Sequence, residues 1–376
     1  MALRGIQVLE LAGLAPAPFC GMILADFGAR VIRVDKASST IDRLGRGKES
    51  IGLNLKHEQG KHIFQQLCKK SDVLIEPFRS GVMERLGLGP NVLLADNPAL
   101  VYARMTGFGQ RGSLAKKAGH DINYLSISGV LSFLGRKSGP PHPPVNLLAD
   151  FAGGGMTCAL GIMMALFERS KSGKGQVIDA NMVEGSAYIA NWFWSGKDLP
   201  IWGKERGANI LDGGVAYYDT YRTADDKYIS IGALEPQFFQ EVLKGLGIDS
   251  SDVSQFDDAE EMRKEFQRIF LSKTRDEWTE VFKDLDACYS PILDMNEAVA
   301  HPHSKENESF LLDGAGNHEP APAPKLSRTP ATKTLLPSPA AGQHTDRILQ
   351  EIGYNQTQIQ ELQGSGAIIK NSFSKL

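Results

Sequence analysis

The chain has 376 residues, 42% hydrophobic and 23% charged, with a formal net charge of −3. That is enough chain for two domains and too much for one simple core. Charges of both signs are spread along it, which excludes a general nucleic-acid or membrane-surface binder, so an anionic ligand must be held by a few local cations.

In chain order, Ile6-Gln7-Val8-Leu9-Glu10-Leu11 reads as a strand, followed by a proline-opened helix over 18–28. Val31-Ile32-Arg33-Val34-Asp35 is a second strand. Residues 57–70 carry Ile63, Phe64 and Leu67 at helical spacing, and Val73-Leu74-Ile75-Glu76 and Leu100-Val101-Tyr102-Ala103 are further strands. Strands alternating with helices predict a Rossmann-like α/β domain with a largely parallel sheet. A long helix is expected over 151–171, marked at its start by Asp150, and residues 176–180 form the next strand. Residues 191–211 hold three tryptophans in irregular order. The resulting division is a large α/β domain at 1–185, a linker at 186–216 and a smaller α+β domain at 217–305. A second linker, 306–330, leads to a C-terminal return over 331–376, helical at 344–363.

Cys20, Cys68, Cys158 and Cys288 are widely separated and form no CxxC pair, which fits a reducing compartment better than a disulfide framework. No segment has the length and unbroken apolarity of a membrane span, and no secretory signal opens the chain. Ser374-Lys375-Leu376 matches the tripeptide that a peroxisomal import receptor reads.

Three ligand motifs fail. The first turn, Ala12-Gly13-Leu14-Ala15-Pro16-Ala17-Pro18, is not GxGxxG, and its prolines lack N–H donors for a pyrophosphate. Gly153-Gly154-Gly155 lacks the lysine and hydroxyl of a P-loop, and His301-Pro302-His303 has no companion ligands for a metal. Three acid–base candidates remain. His120 follows Gly119, which permits close ligand approach, and stands at a helix start that favours neutral imidazole; Asp121 is placed to orient its ring. Asp150 sits among apolar residues and glycines at a second helix start, whose free N–H groups suit an oxyanion. Glu235 lies between an apolar strand and a helix opened by Pro236.

Several segments in fixed order resemble the α-methylacyl-CoA racemases of the family III CoA-transferase superfamily, nearly end to end. They include Leu24-Ala25-Asp26-Phe27-Gly28-Ala29-Arg30-Val31, Tyr102-Ala103-Arg104-Met105-Thr106-Gly107-Phe108-Gly109-Gln110, Gly119-His120-Asp121-Ile122-Asn123-Tyr124 and Gly232-Ala233-Leu234-Glu235-Pro236-Gln237-Phe238. The resemblance implies that His120 and Asp150 are the catalytic acid–bases, with Glu235 beside Asp150. It implies CoA contacts from Lys36, from Leu53, Asn54, Leu55 and Lys56, and from Gly119, Asp121, Ile122, Asn123 and Tyr124, with Arg79 and Arg85 near the CoA. It further implies an interlocked homodimer in which Glu235 comes from the partner chain. Lys36 and Asn54 depart from the family's usual arginine and aspartate; lysine keeps a cation for phosphate but loses the bidentate fork.

The expected chemistry is inversion of a 2-methylacyl-CoA through an enolate, with one base on each face and no metal, flavin or nicotinamide. The alternatives are a CoA-transferase of the same superfamily with Asp150 as nucleophile, and a non-catalytic acyl-CoA binder. By resemblance the substrates are branched-chain fatty acyl and bile-acid intermediates of the peroxisome, with a mitochondrial share left open.

Overall fold

Six short runs build a parallel sheet: β1 (Gln7–Leu11), β2 (Arg30–Asp35), β3 (Glu49–Leu53), β4 (Val73–Glu76), β5 (Val101–Thr106) and β6 (Val177–Asn181). The structure, a computed structural model, describes residues 1–36 and 42–369, so the tripeptide 374–376 lies outside the described residues. The chain divides into two compact units, one of Met1–Gly129, Pro144–Ile189 and Glu308–Leu376 and one of Val130–Pro143 and Ala190–Asn307.

In the first unit the strand order is β3-β2-β1-β4-β5-β6, with the short strand Ile368–Ile369 antiparallel on the outer side of β3. All the other pairings are parallel. β4 and β5 are buried along their whole length, as a sheet covered on both faces requires. Successive side chains face opposite ways. Leu9 and Ile32 thus join Ile63, Phe64 and Ile348 in one core, while Val8 and Val31 join Leu24, Val101 and Ile162 in another. Strand order reverses between β1 and β4, and in such sheets the crevice beyond the carboxyl ends at the reversal is where ligands bind. The fold class read from the sequence is the one observed.

Several elements differ from expectation. β3 escapes the sequence pattern because Glu49-Ser50-Ile51-Gly52-Leu53 has a polar start and a glycine. The helix expected from 151 begins at Leu147 as a π-helix that runs to Met156 and continues as α-helix Thr157–Ser172. Leu147–Ser172 is therefore long and apolar enough to cross a membrane by length and composition. Here Cys158, Ala159, Ile162 and Ala165 bury one side of it in the core. The single helix read over 344–363 is two, Thr345–Glu351 and Gln356–Gly364, interrupted at Gly353. Residues 306–330 contain a small hairpin, Phe310–Leu312 with His318–Pro320.

In the second unit β7 (Tyr218–Arg222), β8 (Tyr228–Gly232) and β9 (Tyr289–Pro291) form an antiparallel sheet. The helices Pro236–Leu246, Ala259–Phe270 and Arg275–Phe282 present Phe239, Phe266, Phe270, Trp278 and Phe282 to one aromatic core. The stretch read as irregular holds a short helix, Asn191–Gly196, and a 3-10 turn, Ile210–Asp212.

Candidate active site

The loops leaving the carboxyl ends of β1, β4, β5 and β6 enclose a cavity of about 330 Å³ whose lining includes Gly13, Arg79, Phe108, Lys117, His120 and Asp150. Gly13 and Pro16 follow β1, Phe78 and Arg79 follow β4, Gly107 and Phe108 follow β5, and Met182 follows β6. The proline-bearing turn after β1 is thus a cavity wall. Sequence reading left Lys117 and the wall residues Phe78 and Met182 unassigned, whereas Met105, Thr106, Gly107 and Phe108 fell within a family-like segment.

His120 caps the helix Asp121–Ile127 in an extended conformation (φ −132°, ψ 175°), and its N–H donates to Asn123 Oδ1 at 3.1 Å. Its side chain is exposed. Gly119 admits close approach, but of rings: a Cβ there would meet Tyr124 Cε1 at 2.7 Å and Phe108 Cε2 at 2.9 Å. The Tyr124 hydroxyl donates to the Gly119 carbonyl, and its ring stands edge-on to Phe108 at 5.0 Å. Tyr124 therefore supports the loop that presents His120.

Asp150 is not a helix cap. Asn146 occupies that position, and Asp150 lies one turn inside the π-helix, half-buried, accepting from Asn146 Nδ2 at 3.2 Å. Burial raises its proton affinity above the ordinary carboxylate range; the Asn146 hydrogen bond lowers it, the charge of Asp121 raises it and His120 lowers it. Asp121 does not serve as an orienter of the His120 ring. It is 4% exposed, and its Oδ2 accepts from the N–H of Ala149 at 2.7 Å and of Asp150 at 2.8 Å. Those two N–H groups are consequently not free for an oxyanion.

Glycines hold the π-helical turn in place. Gly153 packs on the helix Met182–Ile189, where a Cβ on Gly185 would run into the Gly153 carbonyl oxygen. Because that obstacle is backbone, no side chain can swing aside. Gly185→Ala is expected to lose ~1–3 kcal/mol in urea unfolding and to lower turnover by displacing Asp150, as overpacking does.

A second cavity of about 420 Å³ shares Pro77, Phe78 and Arg79 with the first and adds Arg85 and Lys116. Among the described residues no ion pair engages these three cations. The loop carrying Arg79 is fixed from beneath, where the Phe78 N–H donates to Glu76 Oε2 at 2.9 Å and Arg104 Nε donates to Glu76 Oε1 at 2.7 Å. Lys36 follows β2 and Asn54 to Lys56 follow β3, on the same carboxyl edge but outside both cavities. Leu53 is 2% exposed in the core, and the Asn54 side chain donates to the Gly366 carbonyl and accepts from the Lys56 N–H. Ile122 and Asn123 are exposed on the helix that His120 caps. Glu235 belongs to the second unit, exposed at the N-cap of Pro236–Leu246.

A sequence model of CoA-transferase family III matches residues 3–345. The chain is 52% identical over 376 residues to human α-methylacyl-CoA racemase, covering 99% of this chain and 98% of that one. It is 53% identical over 366 residues to the mouse α-methylacyl-CoA racemase, covering 96% of each. The crystal structure of a CAIB/BAIF family protein from Brucella suis superposes with a TM-score of 0.78 at 25% identity, covering 93% of this chain and 99% of that one.

Proposed function

This chain belongs to CoA-transferase family III and acts as an α-methylacyl-CoA racemase, and we propose that it moves the α-proton between His120 and Asp150 without metal, flavin or nicotinamide. The observation that carries the proposal is that these two side chains line one cavity. A planar enolate inverts when one group takes the proton from one face and a second group returns it to the other. Imidazole has an ordinary pKa of about 6.5 and suits the task directly, whereas a carboxyl at about 3.9 must be raised. Burial and Asp121 raise Asp150 in that sense. With the Ala149 and Asp150 N–H groups occupied, and those of His120, Asn123 and Tyr124 engaged in their own helix start, the donors proposed for the enolate oxygen are the Asp121 and Ile122 N–H groups, and one such donor contributes about 3 kcal/mol.

Arg79, Arg85 and Lys116 supply the positive charge that CoA phosphates require, with the handle continuing along the sheet edge toward Asn54 and Lys36. Leu160, Met164 and Phe167 form an exposed apolar stripe along one helix, Phe167 being 65% exposed. A stripe of this kind suits an acyl chain and a second subunit. In such a homodimer Glu235 of one chain serves Asp150 of the other. Branched-chain fatty acyl and bile-acid thioesters are the substrates proposed.

The test is to incubate one epimer of a 2-methylacyl-CoA with the protein in heavy water and resolve the products. Both epimers are expected, each newly formed one carrying a single α-deuterium. Recovery of one unlabelled epimer sinks the reading, and transfer of CoA to an added free acid favours Asp150 as a nucleophile instead.

A further inference from the structure

We propose that Asp121 is a positioning residue that holds the proposed acid–base Asp150 in place through two backbone N–H groups and keeps it protonatable by its own charge; this rests on the two-base reading above. The starting observation is the geometry of one oxygen, Asp121 Oδ2, which takes both the Ala149 and the Asp150 N–H at 2.7 and 2.8 Å. A π-helix bonds each N–H to a carbonyl five residues back, so its opening turn leaves more donors without an internal partner than an α-helix does. Asp121 satisfies two of them from 28 residues away, and it directly follows His120. The peptide that carries one proposed proton carrier is thereby tied to the residue next to the other.

The second observation is the remaining oxygen. Asp121 Oδ1 is buried with no hydrogen-bond partner among the described residues, although Asp121 is 4% exposed. An ordinary cap needs only one acceptor oxygen and is served equally well by asparagine or serine. A full carboxylate with an idle buried oxygen is costly to keep. Its evident effect is on Asp150, where the Asp121 charge adds to burial in favouring the protonated acid. The other charged or titratable groups around Asp150 are His120, Tyr124, Arg79 and Lys117, from the neighbouring loops and helix. Beside them, Asp121 is the carboxylate whose charge acts on Asp150. Removing its charge leaves burial alone against the Asn146 hydrogen bond and His120, and Asp150 then gives up its proton more readily.

The experiment is Asp121→Asn, which keeps shape and one acceptor oxygen, read in two ways on the full-length protein. The first is kcat and KM for racemisation of a 2-methylacyl-CoA. The second is the carboxyl titration of Asp150, by infrared difference spectroscopy against an Asp150→Asn control. We expect kcat to fall roughly tenfold with KM nearly unchanged, and the Asp150 titration to move to lower pH. A kcat within twofold of the parent, or a rise in KM alone, overturns the proposal, as does an unmoved titration. If Asp121→Asn does not fold, Asp121→Ser keeps a short acceptor without the charge and carries the same readouts. The infrared titration needs no turnover, so it separates failure of the Asp121 role from failure of the racemase reading, which parent-protein deuterium uptake tests alone.

Discussion

Replacing His120 by alanine is expected to abolish inversion while leaving proton exchange intact on one epimer. In a two-base site each group faces one side of the carbon acid. Without His120, the epimer whose proton points to that side can no longer be deprotonated. The other epimer still presents its proton to Asp150, which can remove it, exchange with heavy water and return deuterium to the same face. The product is labelled and not inverted. Asp150→Asn should give the mirror result, sparing the epimer that His120 serves. Loss of a positioned acid–base group costs about 10²–10⁴-fold in rate, so inversion should fall by that range in either variant. Chiral separation followed by mass analysis distinguishes label from inversion in one sample. Inversion by either variant at more than about a tenth of the parental rate removes that residue from the mechanism. Retention of both exchanges in His120→Ala points to Asp150 acting on both faces.

Much of this site was legible as local chemistry and little of it as assembly. His120 stood out because a glycine precedes it and a helix follows, and it does cap that helix. Asp150 stood out through its apolar and glycine flanks, but its place one turn inside the π-helix did not. That register depends on Gly153 meeting Gly185 of a later helix, and no periodicity in residues 147–156 encodes a contact made 32 residues on. The bond from Asp121 to the Ala149 and Asp150 N–H groups is equally non-local. Read beside its sequence neighbour, Asp121 looked like a partner for the imidazole; the fold turns it toward a different helix. The prolines at 16 and 18 spoke against a GxGxxG-type phosphate turn, and the same turn closes the cavity, because Pro16 opens the helix that backs it. The boundaries of β4 were read correctly because the run is short and sharply bounded. β3 was missed because its pairing with β2 and the distant Ile368 outweighs a weak local preference.

Lys48→Met is expected to unfold far more easily above neutral pH than in mild acid. Lys48 Nζ donates to both carboxylate oxygens of Glu10, at 2.9 and 2.8 Å, and to the Pro18 carbonyl at 2.8 Å. Both charged side chains are wholly buried. Burial pushes the Glu10 carboxyl up to about 7 even though Lys48 opposes the rise. A carboxyl whose folded value exceeds its ordinary one adds stability that is fully present below the ordinary value, near 4.3. That contribution is lost as pH rises through the folded value. In the variant the opposing cation is gone, so Glu10 holds its proton to still higher pH and the slope extends further. At pH 8 either an unpaired charge is buried or a proton must be taken up, and breaking a buried pair in this way costs ~3–5 kcal/mol. At pH 5 the carboxyl is already neutral and the loss shrinks toward that of unmade hydrogen bonds, ~1–3 kcal/mol. Urea unfolding at the two pH values measures the difference directly. Adding Glu10→Gln to the variant should restore much of the stability at pH 8, since an amide has no charge to strand. An equal loss at both pH values would show that Glu10 is not the group responsible. The consequence reaches catalysis because the Pro18 carbonyl belongs to the helix Pro16–Asp26, whose first residue lines the cavity with His120 and Asp150.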